Sequence, residues 1–243
     1  CEETIFTKWS DAANLPDSAG NWYLTTDVII SAAWEPQDGT VLDLNGHSIA
    51  VNGTATQGTN AITVKKGVRF TLTDCNGDDG VHRFTKYVQP TSTGLNGLFV
   101  PDDAGDIEVT GGVITGGTGT QWDQYYRGGG VYVANRGTFT MSGGSIAGCT
   151  TVGGRSYGGG IYNEGTMTLS GTAEIRDCHA KDSDGDAAFG GGISDNGEAS
   201  EISGDVRITG CTASGGGTDA VSMDTGSVIS GGTFDGSVQN TGT

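Results

Sequence analysis

The chain reads GGGVYVANRGTFTMSGGSIAGCT at residues 128–150 and GGGIYNEGTMTLSGTAEIRDC at residues 158–178, so one pattern occurs twice in succession. The same start, three glycines and an aliphatic residue, returns at residues 190–193, and weaker copies lie near Leu98 and Val221. The pattern therefore returns about every 30 residues, a period typical of solenoids, propellers and repeat arrays. This repeat, more than any single motif, decides the fold class.

Each repeat contains short strands and no pattern long enough for a helix. Residues 138–142 and 166–170 alternate polar and apolar side chains, which is the period of a half-buried strand. A later strand places Ile146, Ile175 and Ile208 at equivalent positions of successive repeats. One such unit cannot bury its own apolar side, but equivalent strands stacked about 4.8 Å apart can. The sequence therefore predicts an all-β chain that forms a parallel β-helix, or β-solenoid.

The five cysteines do not form a metal or redox motif, because no two of them have a Cys-x-x-Cys spacing. Cys149, Cys178 and Cys211 each follow the equivalent isoleucine by three residues, which predicts one inward column of buried thiols. We expect no disulfide between them, because side chains in one column run parallel. Cys1 has two interpretations: the lipid-modified first residue of a mature lipoprotein, or a residue left by trimming of the chain.

The two quoted repeats resemble those of right-handed parallel β-helix regions in large bacterial surface proteins. These are adhesin-like members of the pectate-lyase-like superfamily, common in gut Gram-positive bacteria. The stretch VLDLNGHSI at residues 41–49 resembles the first rung of such proteins, and the resemblance extends over about residues 24–239. It implies a right-handed coil and an extracellular location, at the bacterial cell surface or secreted. It implies less about activity, because the superfamily includes lyases, hydrolases, binding modules and passive stalks.

Composition divides the chain into an N-terminal cap and a solenoid. Residues 1–23 contain two tryptophans and the only plausible helix, around residues 8–15. A cap is expected there because the open end of a solenoid exposes unpaired strand edges and apolar core. Residues 24–243 are assigned to the parallel β-helix, interrupted by an irregular excursion at residues 76–93. The C-terminal end carries no cap signal, which predicts that the chain is part of a longer multidomain protein.

The net charge of −17 limits the classes of partner. Nucleic acids and anionic membranes require a basic face, so we expect neither as a ligand. No apolar run approaches the roughly 18 residues that a membrane-spanning helix needs, so no transmembrane segment is expected. Glycans and the surfaces of host or partner molecules remain as ligand classes.

Three insertions come at the same corner of successive repeats, at residues 118–127, 150–157 and 179–189. Insertions on consecutive rungs should lie side by side at one edge, where solenoids usually build their binding sites. Flat aromatic rings can stack on sugar rings while charged groups bond the hydroxyls, so this composition is typical of a glycan-binding site. The alternative that these rings only hold the insertions against the rungs stays open. The candidate ligand-binding residues are Trp122, Asp123, Tyr125, Tyr126, Arg127, Arg155, Tyr157 and Lys181.

The third insertion carries an acidic motif, DSDGD at residues 182–186. Alternating aspartates around a glycine turn can direct several oxygens at one Ca²⁺ ion. The motif predicts Ca²⁺ as a cofactor, held by Asp182, Asp184 and Asp186. It is not an EF-hand, because Ile193 occupies the position of the required bidentate glutamate. A solvated acidic loop without a metal is the alternative.

We expect an extracellular, adhesin-like surface module that binds a glycan or a host or partner surface through this edge. The alternative is a carbohydrate-active enzyme, a polysaccharide lyase or a glycoside hydrolase, that uses the same insertions. A hydrolase needs two carboxylates about 5–9.5 Å apart, and Asp123 and Asp182 are one candidate pair. A lyase of acidic polysaccharides needs a basic groove, which this net charge disfavours. The three histidines are expected on separate rungs or loops, so no Ser-His-Asp arrangement is predicted and binding is favoured over catalysis.

Overall fold

A computed structural model describes residues 4–52, 58–87, 98–183, 185, 188–197, 199–224 and 226–240. All regular secondary structure in these residues is β-strand, which confirms the all-β class. The strands before the first glycine triplet are β1 (Thr7–Trp9), β2 (Asn21–Leu24), β3 (Val28–Ile30), β4 (Thr40–Asp43), β5 (Ser48–Val51), β6 (Ile62–Val64), β7 (Arg69–Thr73), β8 (Val81–Tyr87), β9 (Leu98–Pro101), β10 (Ile107–Thr110), β11 (Val113–Thr115), β12 (Thr120–Trp122) and β13 (Tyr125–Arg127). The strands after it are β14 (Val131–Val133), β15 (Thr138–Met141), β16 (Ser145–Ala147), β17 (Thr150–Gly153), β18 (Arg155–Tyr157), β19 (Ile161–Asn163), β20 (Thr166–Leu169), β21 (Glu174–Arg176), β22 (His179–Asp182), β23 (Ile193–Asp195), β24 (Glu201–Ile202), β25 (Arg207–Thr209), β26 (Thr212–Ala213), β27 (Val221–Met223), β28 (Val228–Ile229), β29 (Thr233–Phe234) and β30 (Val238–Asn240).

Three long sheets contain most of these strands. The first has eight strands in the order β1-β2-β4-β7-β15-β20-β24-β28, the second has seven in the order β3-β5-β11-β16-β21-β25-β29, and the third has six in the order β6-β14-β19-β23-β27-β30. Neighbouring strands within each sheet are parallel. Successive strands β14, β15 and β16 enter three different sheets, and β19, β20 and β21 do the same one repeat later. This arrangement is consistent with a β-solenoid.

Equivalent residues of successive repeats pair directly in register. Ile146 is aligned with Ile114 on one neighbouring strand and with Ile175 on the other, and Ile208 follows Ile175. All four side chains are fully buried, and residues of all three long sheets belong to the same core cluster. Burial of each such side chain stabilises the fold by about 1.5–3 kcal/mol. The predicted isoleucine column is thus confirmed.

The glycine triplets join the insertions to the third sheet. The first glycine of a triplet lies in the left-handed region, with φ of 57° at Gly128 and 61° at Gly158. The third lies against the core: a Cβ atom at Gly160 would be 2.7 Å from the carbonyl oxygen of Gly192 and 2.7 Å from Cγ2 of Ile175. The triplet is therefore required both by backbone conformation and by the close approach of stacked rungs.

The three cysteines of the repeats form the predicted buried column. Cys149 and Cys178 are 0% exposed, Cys211 is 3% exposed, and all three are free thiols. Burial raises the pKa of the Cys178 thiol well above its ordinary value, so this side chain stays protonated. Cys75 is disulfide-bonded, which its position in the sequence does not reveal. Cys1, with its two interpretations, lies outside the described residues.

The N-terminal segment extends the first sheet and does not form the predicted helix. Strand β1 pairs in parallel with β2, and Trp9 is aligned with Leu24. The Asp11 carboxylate accepts hydrogen bonds from the backbone N–H groups two and three residues later. Local bonds of this kind stabilise a turn in competition with a helix. The prediction of a helix around residues 8–15 is therefore wrong.

A small antiparallel sheet, in the order β10-β8-β9, packs against the second long sheet. Strand β8 falls in the segment predicted as an irregular excursion, of which residues 88–93 lie outside the described part of the chain. Phe84 and Phe99 form a second core cluster with Val113 and Ala147 of the second long sheet. Apolar burial therefore anchors this sheet to the repeats.

Candidate functional site

The three insertions pair with one another at one edge of the molecule. Strands β12 and β13 form an antiparallel hairpin, and β13 pairs in parallel with β18 of the next insertion. Strands β17, β22 and β26 form a further parallel sheet. Tyr157 at the end of β18 forms a β-bridge with Phe189. Strand pairing thus brings side chains of three successive insertions together.

The alternation of an extended chain divides the side chains of β13 between two faces. Tyr125 and Arg127 share one face with the aligned residues of β18. Tyr126 lies on the other face, against Gly153, where a Cβ atom would be 1.7 Å from the Tyr126 ring. The Tyr126 ring therefore packs the first two insertions together. This agrees with the alternative that the aromatic rings hold the insertions in place.

A cleft of about 400 Å³ opens on the face that carries Arg127. This volume lies within the range of small-molecule sites. Trp122 forms an exposed wall, with 61% of its surface accessible, whereas the side chains of Arg127 and Glu164 are only 16% and 25% exposed. The described residues that line the cleft are Thr120, Gln121, Trp122, Arg127, Tyr132 and Glu164.

Aromatic rings and a carboxylate hold the Arg127 guanidinium in place. Its Cζ atom lies 4.7 Å from the centroid of the Trp122 ring and 5.0 Å from that of the Tyr162 ring. Its Nη1 donates a hydrogen bond to Oε1 of Glu164 at 2.9 Å. A cation over an aromatic face contributes about 0.5–2 kcal/mol, depending on how far it is desolvated. The orientation of the guanidinium is therefore fixed before any ligand arrives.

Both carboxylate oxygens of Glu164 accept hydrogen bonds within the protein. Tyr132 donates to Oε2 at 2.8 Å, and Tyr162 donates to Oε1 at 3.2 Å. Burial, and then the hydrogen bond to Glu164, raises the pKa of Tyr132 to about 12. Burial likewise raises the pKa of Tyr162. Both phenols therefore stay protonated at neutral pH and act as donors to the carboxylate.

A row of aromatic rings crosses the insertions. The centroids of Trp122 and Tyr125 are 6.2 Å apart, those of Tyr125 and Tyr157 are 6.1 Å apart, and those of Tyr157 and Phe189 are 5.8 Å apart. Cζ of Arg155 lies 5.9 Å from the Tyr125 centroid. The inner rings contact one another, whereas Trp122 at the end of the row keeps most of its surface in solvent. Trp122 is thus the ring best placed to meet a ligand.

Asp123 and Lys181 are not among the residues that line the cleft. Asp123 is exposed in the two-residue turn of the β12–β13 hairpin and has a positive φ of 56°. Lys181 lies on β22, aligned with Val152, and its carbonyl oxygen accepts a hydrogen bond from Oγ of Ser156. The structure therefore brings Trp122 and Arg127 together with Glu164, and places these two candidates outside that group.

The acidic motif of the third insertion is described only in part. Asp182 is 8% exposed, and its Oδ1 accepts a hydrogen bond from the backbone N–H of Gly185 at 2.8 Å. Asp184 and Asp186 lie outside the described residues. Within the described ranges, no three His, Cys, Asp or Glu side chains are arranged as metal ligands. The Ca²⁺ site stays a prediction.

Three residues of the cleft region were not predicted from the sequence as site residues: Glu164, Tyr132 and Tyr162. Tyr132 and Tyr162 are aligned on neighbouring strands, and their rings stack with centroids 6.0 Å apart. Glu164 follows Tyr162 by two residues, a spacing that puts two side chains on the same face of an extended chain. This spacing was the available signal. It did not reveal that Arg127, from the preceding insertion, would fold over the same face.

His47 and His82 lie on different elements, His47 between β4 and β5 and His82 on β8, and both face the carboxylate of Asp27. Nδ1 of His47 lies 3.5 Å, and Nδ1 of His82 lies 3.9 Å, from Oδ1 of Asp27. The Nε2 atom of His82 is also hydrogen-bonded to the carbonyl oxygen of Gly46 at 2.9 Å. Strand β8 carries His82 back onto an earlier rung, which a count of residues per repeat does not reveal.

Comparison of the chain with protein-family models, with curated proteins and with solved structures gives no match. In the part of the chain that the structure describes, no helix is long and apolar enough to cross a membrane. Function must therefore be inferred from the chemistry of the site itself.

Proposed function

We propose that the chain is an extracellular module of an adhesin-like bacterial surface protein, and that it binds a glycan in the cleft beside Trp122. One observation carries the proposal: the exposed indole of Trp122 lies against the Arg127 guanidinium, whose Nη1 donates a hydrogen bond to Glu164. An exposed flat ring beside fixed polar groups suits a sugar, which has an apolar face and a rim of hydroxyls. The ligand is a glycan on a host or partner surface.

The proposed scaffold is a closed, right-handed parallel β-helix with a cap at residues 1–23. Its support is that successive strands enter three parallel sheets that share one core cluster. The right hand is the one strongly favoured for crossovers between parallel strands. Such a scaffold stacks its insertions along one edge, which is where the cleft lies.

The extracellular location has independent chemical support. Cys75 is disulfide-bonded. Disulfides persist in oxidising environments and are rare where thiols are kept reduced. A secreted or surface-exposed chain is the simplest setting for this bond.

Binding is favoured over catalysis by the state of the carboxylates. Glu164 is the one carboxylate among the described residues that line the cleft, and three protein donors occupy its oxygens. Glycoside hydrolysis ordinarily uses two carboxylates on either side of the scissile bond. Neither Asp123, in the hairpin turn, nor Asp182, whose Oδ1 binds the backbone of its own loop, lines the cleft beside Glu164.

The acidic loop at residues 182–186 is proposed to bind Ca²⁺ as a stabiliser of the third insertion. Its alternating aspartates supply hard oxygen ligands in a tight turn. This metal is not required by the proposed sugar contact, because the cleft is lined by residues of the first insertion together with Tyr132 and Glu164 of the repeats.

The test of glycan binding is a glycan array followed by calorimetric affinities for the ligands found. Trp122→Ala should weaken binding at least about tenfold, which corresponds to about 1.4 kcal/mol. Its effect on the melting temperature should be small, because 61% of the Trp122 surface is already exposed. Val81→Ala is the matched control, since Val81 is 60% exposed and does not line this cleft.

The proposal predicts loss of affinity in Trp122→Ala and unchanged affinity in Val81→Ala. Equal affinities in both variants would contradict a site at Trp122. If no glycan on the array binds, either with or without Ca²⁺, the proposed function is wrong.

A further inference from the structure

The carboxylate acceptor of the cleft has hydrogen-bond partners within the protein, whereas one of its buried donors has none. Its carboxylate acceptor is occupied, because Glu164 receives bonds from Arg127, Tyr132 and Tyr162. The Arg127 guanidinium keeps one donor unoccupied, because its Nε is buried and has no hydrogen-bond partner within the described structure. Buried donors are almost always paired, so an unpaired one calls for an explanation. The cleft therefore has surplus donor capacity and calls for a ligand that brings an acceptor.

The surplus donor is already oriented for one kind of acceptor. Glu164 accepts a hydrogen bond from Nη1, whereas Nε has no partner in the described structure. The rings of Trp122 and Tyr162 limit rotation of the guanidinium plane, with centroids 4.7 and 5.0 Å from Cζ. The Nε and Nη2 atoms of an arginine form a fork that matches the two oxygens of a carboxylate. A sugar hydroxyl would use only one arm of that fork.

We infer that the cleft selects a sugar that bears a carboxylate, such as a uronic or sialic acid, and that this carboxylate binds the Nε edge of Arg127. The inference rests on the proposed glycan-binding function and names its ligand class. Nε is closed to solvent in the free protein, so a side chain beside it must shift to admit the carboxylate. Trp122 can do so, since it lies next to the hairpin turn and is largely exposed. Its ring then covers the sugar.

The negative net charge of the protein limits the number of acidic groups that the ligand can carry. A net charge of −17 repels a long polyanion, whose charges would extend along the acidic surface. Repulsion of a single carboxylate is screened over about 8–10 Å at moderate salt, whereas its contact with Arg127 is direct. The ligand is therefore a glycan with a single acidic sugar among otherwise neutral ones, and not a polyuronate.

The decisive comparison changes the ligand and leaves the protein intact. Affinities are measured by calorimetry for an oligosaccharide with one terminal glucuronic or sialic acid, for its methyl ester, and for the parent glycan without the acidic sugar. The free acid should bind at least about tenfold more tightly than the ester, a difference of about 1.4 kcal/mol. Its advantage should shrink as salt is raised, because part of the contact is ionic.

Variants of the protein then assign the selectivity to Arg127. Arg127→Lys keeps the charge and removes the fork, so the acid should lose its advantage over the ester. Arg207→Lys is the control that changes an exposed arginine outside the cleft, and it should keep the advantage. A melting curve of each variant shows whether it is folded, and the acid-to-ester ratio of the unchanged protein stays informative if Arg127→Lys is not.

The outcomes separate the two proposals. Equal binding of acid and ester by the unchanged protein would overturn the carboxylate inference and leave glycan binding in place. An acid preference that survives in folded Arg127→Lys would also overturn it. Binding of none of the three probes, together with an empty glycan array, would overturn the proposed function as well.

Discussion

Asn163 donates a hydrogen bond from Nδ2 to Oδ1 of Asp195 at 2.6 Å, and the two residues are 0% and 1% exposed. The same Oδ1 accepts bonds from Oγ of Ser200 and from the backbone N–H of Gly197, each at 3.1 Å. Oδ2 accepts a bond from Oγ of Ser227 at 2.8 Å. One buried carboxylate thus connects three successive repeats. It also shows how the molecule accommodates a buried carboxyl group, by surrounding it with hydrogen-bond donors.

Replacement of this carboxylate should cost more stability than removal of an exposed one. Asp195→Ala leaves several buried donors without an acceptor, and each such group costs about 1–3 kcal/mol, so we expect the free energy of unfolding to fall by about 3 kcal/mol or more. Asp205→Ala, at an exposed position between β24 and β25 of the same repeat, should change it by less than about 0.5 kcal/mol. Urea unfolding followed by circular dichroism measures both values. Similar losses in the two variants would contradict the role given to Asp195.

The isoleucine column permits a comparison between two residues of the same type. Ile175 is fully buried between aligned isoleucines, whereas Ile29, on β3 of the same sheet, is 56% exposed. Ile175→Ala should lower the free energy of unfolding by about 2–5 kcal/mol through lost burial and the cavity that remains. Ile29→Ala should cost less than about 0.5 kcal/mol. A large loss in Ile29→Ala would mean that the outer face of this sheet is covered in solution.

The repeated part of the fold could be predicted from sequence because stacking converts a linear period into spatial columns. Residues such as Ile146 and Ile175 occupy the same place in successive repeats, so their contact follows from the spacing alone. The buried cysteines follow for the same reason. The period also placed the three insertions on neighbouring rungs, and strand pairing at Tyr157 and Phe189 joins the last two.

The cleft could not be predicted in the same way, because its residues do not share one repeat position. Arg127 comes from an insertion, whereas Glu164 follows a strand of the next rung. Their contact depends on how the β12–β13 hairpin folds over the rungs, and the period carries no information about that direction. The prediction of an N-terminal helix was wrong for a local reason, because the Asp11 side chain accepts hydrogen bonds from the backbone of a turn.

Calcium should stabilise the chain through the acidic loop at residues 182–186. Addition of Ca²⁺ is expected to raise the melting temperature of the unchanged protein, because binding to the folded state alone shifts the unfolding equilibrium. Asp184→Ala removes one proposed ligand and should abolish this shift. Asp205→Ala is the control and should keep it. A melting temperature that Ca²⁺ does not change would refute the metal site without bearing on the cleft.

Stability should also fall on mild acidification because of His179. Burial, and then the positive charge of Lys181, lowers the pKa of His179 below its ordinary value of 6.5. The unfolded chain then binds a proton more readily than the folded one. The contribution to stability is therefore fully present above pH 6.5 and is lost as pH falls through the lowered pKa. Urea midpoints measured from about pH 7.5 to about pH 5 test this, because His179→Gln should lose less stability over that range than the unchanged protein. His47→Gln keeps His179 and should retain the full loss, and if His179→Gln retains it as well, the assignment to His179 is wrong.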